Sequence, residues 1–182
     1  MTPHIIPDWG YDLQNIATEL FTKGWPEPFE RNKEGCCFHW ALCGLEGWQR
    51  LGRTERMVVQ AGSANWRFRY LEEDEPGDDC FGYHWDTPTA AERVRLGMSP
   101  EWHVWLGLPE EGLVVDLSAR FQEAQCRKLL DHEWSPDYVL PDPLVATVEE
   151  CILRDWTYDP TPSATYFAAR GIVEQQDYLR TL

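Results

Sequence analysis

The sequence predicts an α+β domain, and three observations predict it. Apolar residues recur at helical spacing through the first fifty residues. Short runs of branched and aromatic residues follow at 56–62 and 66–71. Two more runs, 102–108 and 112–118, are joined through the turn "PEEG", which marks an antiparallel hairpin.

Each element has its own signal. In "YDLQNIATELFTK" (11–23), Leu13, Ile16, Ala17 and Leu20 share one helix face. "GWPEPFERNKEG" (24–35) holds two prolines and two glycines and reads as a loop. A second helix follows Gly35, with Phe38, Ala41, Leu42, Leu45 and Trp48 forming an apolar stripe and Leu51-Gly52 closing it. Gly44 and Gly47 each cost such a helix about 1 kcal/mol against alanine. That cost is reasonable where another element packs closely, so a central, buried position is expected.

"RMVVQAG" (56–62) and "WRFRYL" (66–71) read as two strands, and "EEDEPGDD" (72–79) as a solvated acidic loop. The spacing of its carboxylates does not fit an EF-hand Ca²⁺ loop. "TPTAAERVRLG" (87–97) reads as a short helix with a threonine cap and a terminal glycine. After the hairpin, 119–182 mixes helical pieces such as "ARFQEAQCRKLLDHEW" with proline-rich connections. No internal repeat or low-complexity linker divides the chain, so residues 1–182 are expected to form one domain.

Composition removes several function classes. A chain of 182 residues buries a core without disulfides or metal. A net charge of −15 opposes binding to nucleic-acid phosphates or to an anionic membrane surface. The first residues lack the basic and apolar regions of a signal peptide, and no apolar run approaches membrane-spanning length. Six cysteines without an export signal suggest free thiols and a cytoplasmic protein. No cofactor is expected.

The chemistry lies in the hairpin and in one thiol. With 109–112 as the loop, Leu108 pairs with Leu113 and the register places Trp105 opposite Asp116 and His103 opposite Ser118. His103, Trp105, Val114, Asp116 and Ser118 then share a face. His103 and Asp116 are diagonal neighbours within hydrogen-bonding reach. A carboxylate that holds a histidine in one tautomer is half of a nucleophilic system. A thiol at a helix N-terminus, where the dipole and a nearby imidazolium favour thiolate, is the other half. "GCC" offers Cys36 and Cys37. Cys37 lies on the line Cys37, Ala41, Leu45, Trp48, whereas Cys36 is turned about 100° away, so Cys37 is the candidate nucleophile.

"GCCFHWALCGLEGWQRLG" resembles the cysteine segment of the transglutaminase-like superfamily, within the papain-like cysteine enzymes. The resemblance rests on a glycine and one residue before the cysteine, on Trp40-Ala41 three and four residues after it, and on Leu51-Gly52 at the helix end. "RMVVQAG" is similar to the next strand, "HVW" (103–105) to the histidine motif, and "VVDLS" (114–118) to the aspartate strand. It covers about residues 33–62 and 101–119 and matches Cys37, His103 and Asp116. Cys36, an extra thiol, departs from the pattern.

The resemblance implies a papain-like core in which the cysteine helix packs on an antiparallel sheet. It also implies acyl transfer or amide hydrolysis through a thioester. The expected substrate is then a peptide, a protein or a small amide; the chain's acidity, read on its own, suits a basic one but more often serves solubility. Cysteine protease or amidase is the leading activity, with transfer to an amine also open. The Cys37 N–H is one oxyanion donor. Trp25, Asn32 and Gln14 are candidates for a second.

Other readings stay open at this point. His84 in "YHWD" is an alternative base and Ser118 an alternative partner for His103. Cys36, Cys37, His39 and Cys43, with Cys80 and His84, are a candidate Zn²⁺ set, although Cys37, His39 and Cys43 do not share one helix face. An inactive domain that only binds a partner is a third reading. Cys43, Cys80, Cys126 and Cys151 read as packing thiols. Trp40, Trp85, Trp102 and Trp105 are candidates for the wall of an aromatic cleft, or for the core.

Overall fold

The computed structural model describes residues 5–25, 36–70, 77–96, 98, 101–122 and 140–181. The order of elements is α1 (Asp8–Gly24), α2 (Cys37–Arg50), β1 (Val58–Tyr70), β2 (Gly77–Tyr83), α3 (Thr87–Arg95), β3 (His103–Leu108), β4 (Leu113–Asp116), β5 (Leu144–Thr147), α4 (Val148–Leu153), β6 (Trp156–Pro160) and α5 (Pro162–Arg180). The protein is α+β: one antiparallel sheet runs β2-β1-β3-β4-β5, with β6 also on β1, and α1, α2 and α5 cover one face while Cys151 of α4 packs on the other. No helix among the described residues is long and apolar enough to cross a membrane.

Alternation along the strands sorts the two faces. Val104, Leu106 and Leu108 of β3, with Val115 and Leu117 after it, join α1, α2 and α5 in one core. His103 and Trp105, with Val114 and Asp116, point to the other side, among Ala64, Trp66, Leu144, Ala146 and Trp156. The hairpin register is Leu106↔Val115, Gly107↔Val114 and Leu108↔Leu113, as the sequence predicts. Gly112, at a φ of 64°, supplies the left-handed residue that closes the turn.

Helix α2 is central. A β-carbon on Gly44 would lie 2.5 Å from Leu106 and 2.7 Å from Leu117, and one on Gly47 would lie 3.1 Å from Leu13. The glycines thus let α2 approach β3 on one side and α1 on the other. Phe21 of α1 stacks on Trp40 at 4.5 Å, while Trp9 lies edge-on to Trp48 at 5.1 Å, so α1 and α2 run antiparallel. Burial of large side chains such as Trp40, Leu42 and Leu106 contributes about 1.5–3 kcal/mol each.

Three expectations are corrected. Residues 56–62 and 66–71 are not separate strands: β1 is continuous, and Gly62 is in its middle. A β-carbon there would sit 2.2 Å from the Asp159 carbonyl oxygen, so this glycine admits β6 against β1 and does not end a strand. The acidic segment is a strand from residue 77 onward, paired with β1 through Ala64↔Tyr83 to Tyr70↔Gly77. Its residues 72–76 lie outside the described residues. The cap of α3 is Asp86, whose carboxylate accepts from the Thr89 N–H at 3.1 Å, and not a threonine.

The C-terminal third, read from sequence as helical pieces and proline-rich connections, contributes two strands as well as helices: β5, α4, β6 and α5. A capping box between Thr147 and Glu150 starts α4. The Thr161 N–H donates to the Ala61 carbonyl and Thr165 Oγ1 accepts from the Ala61 N–H, which ties the start of α5 to β1. Residues 119–122 are helical, and the rest of the helix expected over 119–134 lies outside the described residues.

Candidate active site

His103 opens β3 and Asp116 closes β4, and the hairpin register sets them diagonally across from each other. Asp116 Oδ2 accepts from His103 Nε2 at 2.7 Å, with both side chains at most 1% exposed. Such a short bond in a water-free setting is charge-assisted. Asp116 has no unused acceptor position. Oδ2 also accepts from the Tyr158 hydroxyl at 2.9 Å, and Oδ1 accepts from the Ser118 N–H and hydroxyl at 2.8 Å each. Ser118 therefore holds the carboxylate and does not partner His103, contrary to the alternative drawn from the register. Its backbone turns just past β4, so its side chain folds back on Asp116.

Burial alone would push the His103 imidazole down. The Asp116 charge and hydrogen bond, with Cys37 adding to both, overcome it and raise the histidine to about 10. Asp116 is the converse: burial pushes its carboxyl up, but the His103 charge and the bonds from His103 and Ser118 hold it below the ordinary value. Both effects describe one buried ion pair.

Cys37 is the first residue of α2, and its thiol is near enough to the imidazole to help raise it. Because Nε2 is engaged by Asp116, the nitrogen left for Cys37 is Nδ1. Nδ1 is buried and has no hydrogen bond of ordinary geometry among the described residues. Cys36, at the N-cap, makes no side-chain capping bond, which leaves N–H donors at the helix start for an anionic oxygen. Burial, and then the charge of Cys37, push the Cys36 thiol up. Cys37 is thus the thiol placed against the histidine, and Cys36 is held protonated beside it.

Aromatic rings enclose the imidazole. Tyr83 and Trp105 lie nearly parallel to it at 5.6 and 6.0 Å, and Trp66 stands edge-on at 5.0 Å. Tyr83 is itself held by its hydroxyl, which donates to Gln122 at 2.8 Å. Tyr158 accepts from the Trp66 indole N–H at 3.0 Å while donating to Asp116. Sequence reasoning missed Tyr83 and Tyr158. Tyr83 offered one clue, the apolar "FGY" alternation before "HW"; for Tyr158, 42 residues from Asp116, no local pattern existed.

Other candidates fall elsewhere. Gln14 is buried beside the far half of α2, since its neighbours Leu13 and Ile16 face Gly47. Ten residues of helix separate that level from Cys37, about 15 Å, so Gln14 is not an oxyanion donor. Trp25, by contrast, is brought to the start of α2, its ring centroid 4.7 Å from that of His39. Asn32 lies outside the described residues. His84 is exposed in a surface hollow with Asp86, Arg93 and Glu101, and is not a base for Cys37.

Among the described residues no three His, Cys, Asp or Glu side chains are grouped as metal ligands; the Cys80 side chain and Cys126 lie outside them. Burial pushes Cys43 up strongly, and burial with the charges of Glu150 and Asp116 pushes Cys151 up to about 12, as fits packing thiols. Trp40 and Trp105 are 1% exposed and belong to the core.

Scanned against protein-family models, curated proteins and solved structures, the chain matches none.

Proposed function

We propose that the protein is a cysteine-dependent acyl-transfer enzyme, most simply a hydrolase of amide or peptide bonds, built on a papain-like, transglutaminase-like core. The observation that carries this reading is the Asp116–His103 bond of 2.7 Å on an imidazole that the Cys37 thiol also helps to raise. A central helix that presents a thiol from its N-terminus beside β3 and β4 supports the core assignment.

The chemistry follows from the geometry. The Cys37 proton is held on His103 Nδ1, in the imidazolium that Asp116 stabilises, and Cys37 Sγ attacks the carbonyl carbon, forming a C–S bond. The oxyanion that develops is met by the uncapped N–H groups at the start of α2. His103 then gives its proton to the leaving nitrogen and the C–N bond breaks, leaving a thioester on Cys37. Water or an amine attacks the thioester, with His103 as base, and restores the thiol. Asp116 holds the ring so that Nδ1 faces the sulfur and stabilises the imidazolium between these steps.

Reaction with p-nitrophenyl acetate tests the reading. Attack by Cys37 releases p-nitrophenolate and leaves an acetyl thioester on that residue, detectable by peptide mass spectrometry. The expected result is acetylation of Cys37 in the wild type, lost in Cys37→Ser and strongly slowed in His103→Ala. Acetylation spread over other residues, or indifferent to His103, would refute it.

A further inference from the structure

Phe38 directly follows Cys37, and Trp102 directly precedes His103. Their rings stack at 6.5 Å with 13° between planes. Trp102 continues to Trp85 at 5.8 Å and to Phe167 of α5 at 5.5 Å. Four aromatic side chains from four parts of the chain thus form one wall beside the two residues that meet at the reactive thiol.

The wall differs from the core. Trp40, Trp66 and Trp105 are at most 1% exposed, whereas Phe38, Trp85 and Trp102 are partly exposed and Phe167 is 39% exposed. Water-facing aromatic surface on this scale is costly to leave open unless something covers it. Its rim is polar: the Trp85 indole N–H donates to Thr87 Oγ1 at 3.1 Å and to Ser163 Oγ at 3.0 Å, which fixes that ring in place. Packed rings that remain partly open to water suit a flat apolar group. The wall adjoins both Cys37 and His103 along the chain, through Phe38 and Trp102, so one molecule that covers the wall can also present a carbonyl to the thiol.

We propose that this wall is the acyl-side subsite of the enzyme and that it takes acyl donors carrying an aromatic side group. The assignment rests on Cys37 being the nucleophile. Phe38, Trp85, Trp102 and Phe167 set the specificity through the ring surface they leave open to water. Small aliphatic acyl groups reach the thiol without covering the wall and gain nothing from it.

Two probes with one reactive group test this: chloroacetamide and N-benzyl-2-chloroacetamide. In both, the Cys37 sulfur attacks the methylene carbon, a C–S bond forms and chloride leaves. The second-order rate at Cys37 is read by peptide mass spectrometry and divided by that of glutathione with the same probe. The wild type is expected to prefer the benzyl probe by about tenfold after this normalisation, and Phe167→Ala to lower the preference about three- to tenfold. Phe167→Leu, which keeps bulk without a ring, gives an intermediate value and serves if the alanine variant does not fold. Val173→Ala, 70% exposed on the same helix, keeps the wild-type preference.

A normalised preference near one in a protein whose Cys37 reacts rapidly overturns the subsite alone. So does a preference that neither Phe167 variant changes. Slow reaction at Cys37 with both probes overturns the thiol assignment, and the subsite with it.

Discussion

Asp116→Asn puts a donor where the site requires only acceptors. The carboxylate receives four hydrogen bonds, from His103 and Tyr158 on one oxygen and twice from Ser118 on the other. The Ser118 backbone N–H is the one donor of the four that neither rotates nor changes tautomer. An asparagine therefore keeps its carbonyl oxygen toward Ser118 and turns its NH₂ group to His103 and Tyr158. His103 Nε2 must then accept, the ring proton moves to Nδ1, and the imidazole meets Cys37 as a donor that cannot take the thiol proton. Without the carboxylate charge, burial dominates the imidazole and lowers its pKa from its raised value.

The expected loss in acylation rate is about 10⁴-fold, or roughly 5 kcal/mol at 1.36 kcal/mol per tenfold. Stability falls less, by about 1–3 kcal/mol, because the histidine sheds its proton and no unpaired buried charge remains. The rate of Cys37 acetylation by p-nitrophenyl acetate, with circular dichroism to show that the variant is folded, measures both. A folded Asp116→Asn that acylates at the wild-type rate would refute the reasoning about tautomers.

Three other outcomes follow from the same contacts. Tyr158→Phe leaves Asp116 with three bonds and strips the Trp66 indole N–H of its 3.0 Å acceptor; urea unfolding should show a loss of about 1–3 kcal/mol, with acylation slowed far less than in Asp116→Asn. Gly62→Ala drives a methyl to 2.2 Å from the backbone oxygen of Asp159 and should cost about 3 kcal/mol, more than Gly44→Ala, whose obstacles at 2.5 and 2.7 Å are the movable ends of Leu106 and Leu117. Equal melting temperatures for those two glycine variants would contradict the backbone argument. For pH, His103 is raised from 6.5 to about 10, so its stabilising contribution is complete below pH 6.5 and is lost as pH rises toward 10. The depressed Asp116 contributes above the ordinary carboxylate range and loses its contribution as pH falls through its folded value. Unfolding free energies at pH 6, 8 and 10 should fall more steeply for the wild type than for His103→Gln, and parallel curves would refute the ion pair.

Local rules made the hairpin legible. A four-residue turn with Gly112 at its end fixes the register, and the two-residue period then puts His103 and Asp116 on one face. Gly44 and Gly47 in an otherwise apolar helix announced close packing, and α2 has it on both sides. What remained hidden depends on pairing across long sequence distances. Gly62 reads as a strand end until β6, almost one hundred residues later, is laid against it through Gly62↔Pro160. Gly77, Asp78 and Asp79 give β2 the composition of a loop, and only pairing with β1 makes it a strand. The buried face of α5 is built partly from small residues, Ala164 and Ala168 ahead of Ile172, so its apolar stripe is faint. Tyr158 sits on a five-residue strand with one buried residue, Trp156, and its role exists only because β6 pairs with β1.

The measurement that tests the central claim most directly is the rate of iodoacetamide labelling at pH 7, resolved between Cys36 and Cys37 by peptide mass spectrometry, in the wild type and in His103→Ala. Cys37, against the imidazole, should be labelled faster than Cys36 and faster than glutathione, and should lose that advantage in the variant; Cys36, whose thiol is pushed up by burial and by its neighbour, should be slow in both. Labelling of Cys37 at the rate of Cys36, or unchanged without His103, would contradict the thiol–imidazole pair on which the function rests.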